Sequence, residues 1–153
     1  MGMNMYLFGV ETEYDDSKMI SEKYYRTMTF QQVGYWRKDW IIFYWFVKKL
    51  YDDNENIVEE GMIATFEEDT LKELVKDCKD TIKYCTGYEK AHREGTVKTD
   101  IPDNCLLGSV WDYLFYNRYE LSGYISELEY TINLCEELLN ENEFEEYALS
   151  LSP

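Results

Sequence analysis

The sequence predicts an α+β fold in a single domain, residues 1–153, with about three main helices packed around a central aromatic helix and a small three-stranded sheet. Three observations predict this fold. Residues 34–50 are apolar nearly all round a helix and hold three of the four tryptophans. Two later stretches have helical periodicity of apolar residues. Short apolar segments near both ends of the chain, and one in the middle, are typical of strands.

The central helix is predicted over residues 30–50. Thr29 and Gln32 fit a capping box at its start. Apolar residues then recur at steps of four and three, which places them on one stripe: Trp36, Trp40, Phe43, Val47 and Leu50. Gly34 inside a helix costs about 1 kcal/mol relative to alanine. That cost indicates either close approach by another backbone or a kink.

The remaining elements are assigned by the same periodicities. In chain order they are a strand at 3–10, an exposed acidic loop at 11–18, a weakly patterned segment at 19–28, a strand at 61–65, a helix from 65 to about 85, a long loop at 86–107, a helix from 111 or 113 to 140, and a strand at 147–151. The last helix has the clearest inner stripe: Leu121, Ile125, Leu128, Ile132, Cys135 and Leu139. A loop as long as 86–107 is uncommon in a compact domain and is often functional.

The charge of the chain is strongly negative and unevenly distributed. The net charge is −16, and from Glu120 onward there are nine carboxylates and no lysine or arginine after Arg118. Such a field repels nucleic acids and anionic membranes and attracts basic surfaces. We therefore expect no direct nucleic-acid binding and no membrane binding. Four glutamates of the last helix form what we call the acidic face: Glu120, Glu127, Glu137 and Glu141.

The residue types needed for metal or covalent chemistry are sparse. Cys78, Cys85, Cys105 and Cys135 form no CxxC or zinc-type pairing, so we expect reduced, structural thiols and no metal or other cofactor. His92 is the single histidine and lies in a charged segment. No complete set of nucleophile, base and oxyanion donors is visible, so we expect no enzymatic activity. No signal peptide or long apolar segment is present, which predicts a cytoplasmic protein.

Three segments form a recognisable pattern: residues 1–7 (MGMNMYL), residues 33–38 (VGYWRK) followed by Trp45-Phe46, and residues 107–109 (LGS) followed by Asp112 and Tyr116. With these segments the chain resembles, over nearly its whole length, a family of small phage and prophage proteins without an assigned chemistry. The family pattern is MG-(apolar)-D-MYL, then GYWRKAN-x-IH-x-WF, then FFFGS…YD…Y. Where this pattern has Asn and His, the chain has Trp40 and Phe43. The resemblance implies a phage protein. If the Asn and His of the family form a polar site, this chain has lost half of that site.

Two functional hypotheses follow. In the first, a non-enzymatic phage-type protein imitates the phosphates of nucleic acid with its acidic face. It would inhibit a basic host protein, either a defence protein or a nuclease or other nucleic-acid-processing protein, in the cytoplasm of an infected bacterium. The alternative is a protein that sequesters a nucleotide signal with an aromatic and basic pocket: Trp36, Arg37, Lys38, Ser109 and Tyr116. Simpler roles also explain parts of that set. Arg37 could pair with a carboxylate and cover aromatic surface, and Ser109 could cap a helix.

Overall fold

A computed structural model describes residues 4–20, 23–37, 39–50, 63–93 and 118–152 of the chain. Its strands and helices, in chain order, are β1 (Asn4–Ile20), β2 (Lys23–Trp36), α1 (Trp40–Leu50), β3 (Ile63–Glu67), α2 (Glu68–Arg93), α3 (Arg118–Glu141) and β4 (Glu146–Ser152). Three helices and one antiparallel sheet confirm the predicted α+β class.

The sheet has four strands rather than the predicted three, in the order β2-β1-β4-β3. The extra strand is β2, which pairs with β1 from Met5 opposite Trp36 to Ile20 opposite Lys23. The predicted strands at both ends of the chain and in its middle are present as β1, β4 and β3. β1 and β4 form the middle of the sheet, and the long β1–β2 hairpin extends beyond β4.

The first half of the predicted helix 30–50 is wrong, because residues 30–36 belong to β2 and α1 begins only at Trp40. The predicted loop 11–18 and the weakly patterned segment 19–28 are also wrong, since most of their residues lie in the hairpin. Residues 23–36 pair with β1, and this pairing provides partners for their backbone N–H and C=O groups. The apolar periodicity within the segment does not reveal such a long-range pairing. In the same way, α2 continues through residues 86–93, which were predicted as a loop. The rest of that loop and the predicted helix start at 111 or 113 lie outside the described residues.

One hydrophobic core joins the sheet to the three helices. Met5 and Leu7 are fully buried while Tyr6 between them is not, as the predicted alternation of β1 requires. The predicted stripe of α3 is confirmed at its buried members, Leu128 and Ile132 among them. The largest fully buried side chains are Trp36, Tyr147, Phe46, Met5, Leu7, Ile41, Ile42, Leu71, Leu74, Leu128 and Leu149.

Gly34 in β2 lies in close contact with α3. A Cβ atom on this residue would lie 2.8 Å from Leu134 Cδ2 and 3.3 Å from Leu7 Cβ. The close approach predicted for Gly34 therefore exists, but it occurs in a strand and involves a side chain of α3 rather than another backbone. This close approach places the end of β2 directly against α3. The candidate site lies at that contact.

Candidate binding cleft and acidic helix face

The site is built where β2 ends and α1 begins. Asp39 is the N-cap of α1: its Oδ1 accepts hydrogen bonds from the backbone N–H groups of Ile41 and Ile42, both at 3.1 Å. Aspartate is one of the preferred N-cap residues because it satisfies donors that have no partner within the helix. The cap turns the chain from the sheet into α1 and holds Asp39 against α3.

Trp36, three residues earlier, belongs to the core. It is 1% exposed, and its Nε1–H donates to Thr131 Oγ1 of α3 at 2.8 Å. Its ring packs edge-on against Phe46 of α1, with ring centroids 5.7 Å apart. Thr131 Oγ1 in turn donates to the backbone oxygen of Glu127 at 3.1 Å. Trp36 thus ties the end of β2 to both helices.

An open cleft of about 350 Å³ lies beside the contact between the end of β2 and α3. Tyr130 spans its edge, since its hydroxyl donates to the backbone oxygen of Tyr35 at 2.9 Å. Both tyrosines are partly or largely exposed. The cleft is lined by Tyr35, Trp36, Arg37, Ser126, Glu127 and Tyr130. It therefore combines aromatic walls with one exposed cation and one exposed carboxylate.

The buried Asp39 interacts electrostatically with Glu127, which lines this cleft. Asp39 is only 6% exposed, and no donor among the described residues reaches its buried Oδ2. Burial, followed by the charge of Glu127, raises the pKa of Asp39 to about 6, although the helix N–H groups act in the opposite direction. Two ionised carboxylates cannot donate to each other, so the pair needs either a shared proton or an external donor.

The acidic face of α3 is exposed. Glu127, Glu137 and Glu141 all lie at the surface, and among the described residues none of them forms an ion pair. The side chain of Glu120 lies outside the described part of the chain. A rise of 1.5 Å per residue separates Glu127 from Glu137 by about 15 Å and Glu137 from Glu141 by about 6 Å.

The lysines of α1 and α2 contrast with this face because four of them are paired with carboxylates. Lys49 pairs with Glu73, Lys72 with Glu68 at 3.1 Å, Lys76 with Asp80 at 3.1 Å, and Lys79 with Glu136 of α3 at 2.5 Å. Local pairing therefore neutralises much of the surface of α2 and leaves the acidic face unbalanced.

The structure brings together part of the predicted nucleotide site. Arg37 and Trp36 line the same cleft, but the indole ring of Trp36 is largely taken up by the core. Lys38, Ser109 and Tyr116 lie outside the described residues. The sequence interpretation missed Asp39, although an aspartate just before an apolar run of helical length is an N-cap signal. It also missed Tyr130, which lies three residues after Glu127 and hence close to it on the helix surface.

Cys78, Cys85 and Cys135 are buried and form no disulfide bond within the described residues, and Cys105 lies outside those residues. Burial raises the pKa of the Cys78 and Cys135 thiols. Within the described ranges, no group of three or more His, Cys, Asp and Glu side chains could hold a metal ion. No helix in this part of the chain is long and apolar enough to cross a membrane.

Comparisons of the chain with protein-family models, with curated proteins and with solved structures found no match.

Proposed function

We propose that the protein is a non-enzymatic binding protein whose acidic face occupies the nucleic-acid-binding surface of a basic partner and so inhibits it. One observation carries the proposal. The carboxylates of the acidic face that the structure describes are exposed and form no ion pair with a described residue, whereas four lysines of α1 and α2 are paired.

Electrostatics supports this role because a rigid helix holds the charges in place before the partner arrives. Carboxylates spaced along α3 produce a field of the same sign as a phosphate backbone, which is the field that a nucleic-acid-binding groove attracts. Opposite charges on two partners steer their encounter and raise the association rate, and salt screens this effect. We therefore expect tight binding at low salt and steep weakening as salt is added.

The biological setting comes from the sequence resemblance alone. A phage or prophage protein that binds basic proteins in the cytoplasm of an infected bacterium would meet nucleases, other nucleic-acid-processing proteins and defence proteins of the host. Those classes share a basic surface, which is the property that the acidic face recognises. We propose a host protein of this kind as the partner.

Charge reversal tests the proposal. In the first variant, Glu120, Glu127, Glu137 and Glu141 are all changed to Lys. A matched variant changes four other exposed glutamates to Lys: Glu11, Glu13, Glu67 and Glu129. Each substitution adds two charges, so both variants move the net charge from −16 to −16 + 8 = −8. They differ only in where the charge is changed.

Each protein is immobilised and exposed to a bacterial host lysate, and bound proteins are eluted with salt or with duplex DNA and identified by mass spectrometry. We expect the original chain and the matched variant to retain basic nucleic-acid-binding proteins that both eluents release. The acidic-face variant should lose them while its circular-dichroism spectrum is unchanged. Equal loss in both variants would show an effect of net charge only, and retention by both would refute the acidic face.

A second candidate function is sequestration of a nucleotide, favoured by the position of Arg37 beside Trp36 in a cleft of about 350 Å³. Its weakness is that Glu127 lines the same cleft and would repel a phosphate. A thermal-shift panel of nucleotides with the original chain and with Arg37→Ala separates the two functions. Stabilisation that is lost in Arg37→Ala would support the nucleotide. No stabilisation by any nucleotide is what the inhibitor proposal predicts.

A further inference from the structure

The β1–β2 hairpin extends beyond the rest of the sheet and leaves one edge of β1 without a partner among the described strands. β4 pairs with β1 only from Asn4, opposite Ser152, to Val10, opposite Glu146. β1 continues to Ile20, and over this length the described sheet gives it a neighbour on one side only, which is β2. The backbone groups that β1 turns toward the β4 side beyond Val10 therefore have no partner in the described sheet.

This edge of β1, from residue 11 to residue 20, has the properties of a site for an added strand. A ribbon of two strands is marginally stable in water, whereas three strands stabilise one another. An open strand edge is a template for another chain unless lysine, proline or an irregularity blocks it. Residues 11–20 contain a single lysine, Lys18, and no proline. A strand placed in line with β4 would pair with this edge and stabilise the ribbon.

Charges on β1 favour a basic strand at this position. Glu11 and Glu13 are exposed, and they lie on the same face of β1 because side chains two residues apart point the same way. Their cross-strand neighbours on β2 are Thr29 and Thr27, which carry no charge. Neither glutamate forms an ion pair with a described residue. An added strand would thus lie beside two carboxylates that no described cation neutralises.

The turn that leads from α3 into β4 adds two more carboxylates near this edge. Glu143 and Glu145 are exposed. The ring of Phe144, between them in the chain, occupies the space that a side chain on Gly9 of β1 would need. This contact holds the turn against β1 just before the open edge begins. Carboxylates therefore border the open strand position on two sides.

The outer edge of β2 is the other open edge of the hairpin in the described sheet, and its charge is different. The charged residues of β2 are Lys23 and Arg26, and the strand contains no carboxylate. A basic strand is attracted to carboxylates and repelled by cations, so it favours the β1 edge over the β2 edge.

We propose that the β1 edge beyond Val10 binds an extended basic segment of the partner as an additional strand, with lysine or arginine side chains at alternate positions beside Glu11 and Glu13. This inference deepens the proposed function and rests on it for the basic character of the partner. Backbone hydrogen bonds provide the affinity in this mode of recognition, and neighbouring side chains on the two strands select the sequence.

The probe is the peptide acetyl-Lys-Val-Lys-Thr-Lys-Val-Lys-amide, which is titrated into the full ¹⁵N-labelled chain while amide hydrogen exchange is followed by NMR. Alternate residues of a strand turn their N–H groups toward the same neighbour, so half of the β1 amides already face β2. The other half face the open edge. At a peptide concentration about ten times Kd, we expect these alternate amides of residues 11–20 to exchange about tenfold more slowly, because exchange occurs from the free chain.

Two N-methylated peptides of the same charge separate strand pairing from simple attraction. One is methylated on the backbone nitrogens of its lysines, and the other on those of its valines and threonine. Because N–H groups of successive residues point to opposite sides of a strand, only one of the two peptides loses its hydrogen bonds to β1. We expect that peptide to lose binding and the other to retain it.

A pair of variants tests the charges. Glu11→Gln together with Glu13→Gln should weaken peptide binding about fivefold, as expected for exposed charge pairs. Glu127→Gln together with Glu129→Gln removes the same charge near the end of β2, where β2 pairs with Met5. Glu11 lies six residues further along β1, roughly 20 Å away at about 3.3 Å per residue. That separation exceeds the Debye length of about 10 Å at 0.1 M salt, so the second variant should bind the peptide unchanged.

Three results would overturn the inference. If both N-methylated peptides bind as tightly as the unmodified peptide, attraction between charges alone explains the binding. If the alternate amides of residues 11–20 are already protected in the free chain, another part of the chain occupies the edge. If the variant of Glu11 and Glu13 binds as tightly as the variant of Glu127 and Glu129, the carboxylates beside the edge do not recognise the strand.

The proposed function can fail separately. The matched charge-reversal variant, which changes Glu11 and Glu13, should retain the partner through the acidic face but release it at lower salt than the original chain does. Strand addition by the peptide, together with equal loss of lysate capture in both charge-reversal variants, would refute the acidic face but not the β1 edge. Capture that is lost only in the acidic-face variant, without protection of β1 by the peptide, would refute the β1 edge alone.

Discussion

Two neighbouring contacts join the β2–α1 junction to α3, and they differ in whether their polar groups are satisfied. In the first, the indole N–H of Trp36 donates to Thr131, which donates onward to the backbone of α3. In the second, one helical turn earlier on α3, the Asp39 carboxyl interacts with Glu127, and its Oδ2 has no donor among the described residues. The same two segments thus hold one complete hydrogen-bonded pair and one incomplete pair.

The difference separates a contact that stabilises the fold from one that costs stability at neutral pH. A buried pair with a donor and an acceptor contributes favourably, whereas a buried carboxylate beside a second carboxylate is destabilised once both are charged. The Trp36–Thr131 pair has both its donor and its acceptor, which is why we assign it to the core.

The largest effect is expected from Thr131→Val, which keeps the shape of the side chain but removes the hydroxyl. The buried Trp36 N–H then loses its acceptor, and an unsatisfied buried donor costs about 1–3 kcal/mol. Urea unfolding at pH 7, followed by tryptophan fluorescence, measures the loss. Thr131→Ser keeps the hydroxyl and should lose clearly less. Equal losses in both variants would show that the methyl group, rather than the hydrogen bond, matters at this position.

A smaller effect of opposite sign is expected from Asp39→Asn. The raised pKa of Asp39, about 6 against 3.8 for the unperturbed group, means that the folded chain binds this proton more tightly than the unfolded chain does. Its contribution to stability is complete below pH 3.8 and is lost as the pH rises through about 6. At pH 7 the ionised group therefore destabilises the fold. An Asn at this position can still cap α1 and can donate to Glu127.

We expect Asp39→Asn to be more stable than the original chain at pH 7, by on the order of 1 kcal/mol. The advantage should shrink as the pH falls from 7 to 4, because Asp39 then carries its own proton. Comparing the two proteins at each pH removes the contribution of the other carboxylates. An advantage that is constant from pH 4 to 7 would contradict the assignment of the titration to Asp39.

The elements best predicted from the sequence are those whose periodicity is set by a single buried face. The α3 stripe with Leu128 and Ile132, and the alternation of Met5 and Leu7 in β1, are of this kind. The segment 30–36 could not be assigned correctly from its own pattern. Its aromatic residues fit a helical stripe as well as a strand, and the decision is made by pairing with β1, a non-local contact.

The candidate site was predicted only in part for the same reason. Glu127 was expected on the acidic face and is exposed there, and Arg37 does line a cleft beside Trp36. That Glu127 also lies near Asp39 depends on how α3 crosses the end of β2, where Leu134 contacts Gly34. Asp39 and Glu127 are too far apart in sequence for a spacing pattern to predict that they lie close together.

The smallest effect is expected at the third polar contact between the same segments, the hydrogen bond from Tyr130 to the backbone oxygen of Tyr35. Tyr130 is 46% exposed, and β2 is an edge strand of the described sheet, so water can replace the lost hydroxyl. Tyr130→Phe should therefore lose only about 0.5–1 kcal/mol, the typical net contribution of a hydrogen bond. Urea unfolding under the conditions used for Thr131→Val measures it.

Tyr130→Phe and Thr131→Val each remove one hydrogen bond between β2 and α3. Burial is the property that distinguishes the two hydrogen bonds, since each has a donor, an acceptor and a similar length, 2.8 and 2.9 Å. A loss of stability in Tyr130→Phe as large as that in Thr131→Val would remove this distinction. It would mean that the Tyr130 hydroxyl holds β2 against α3 and that water cannot take its place.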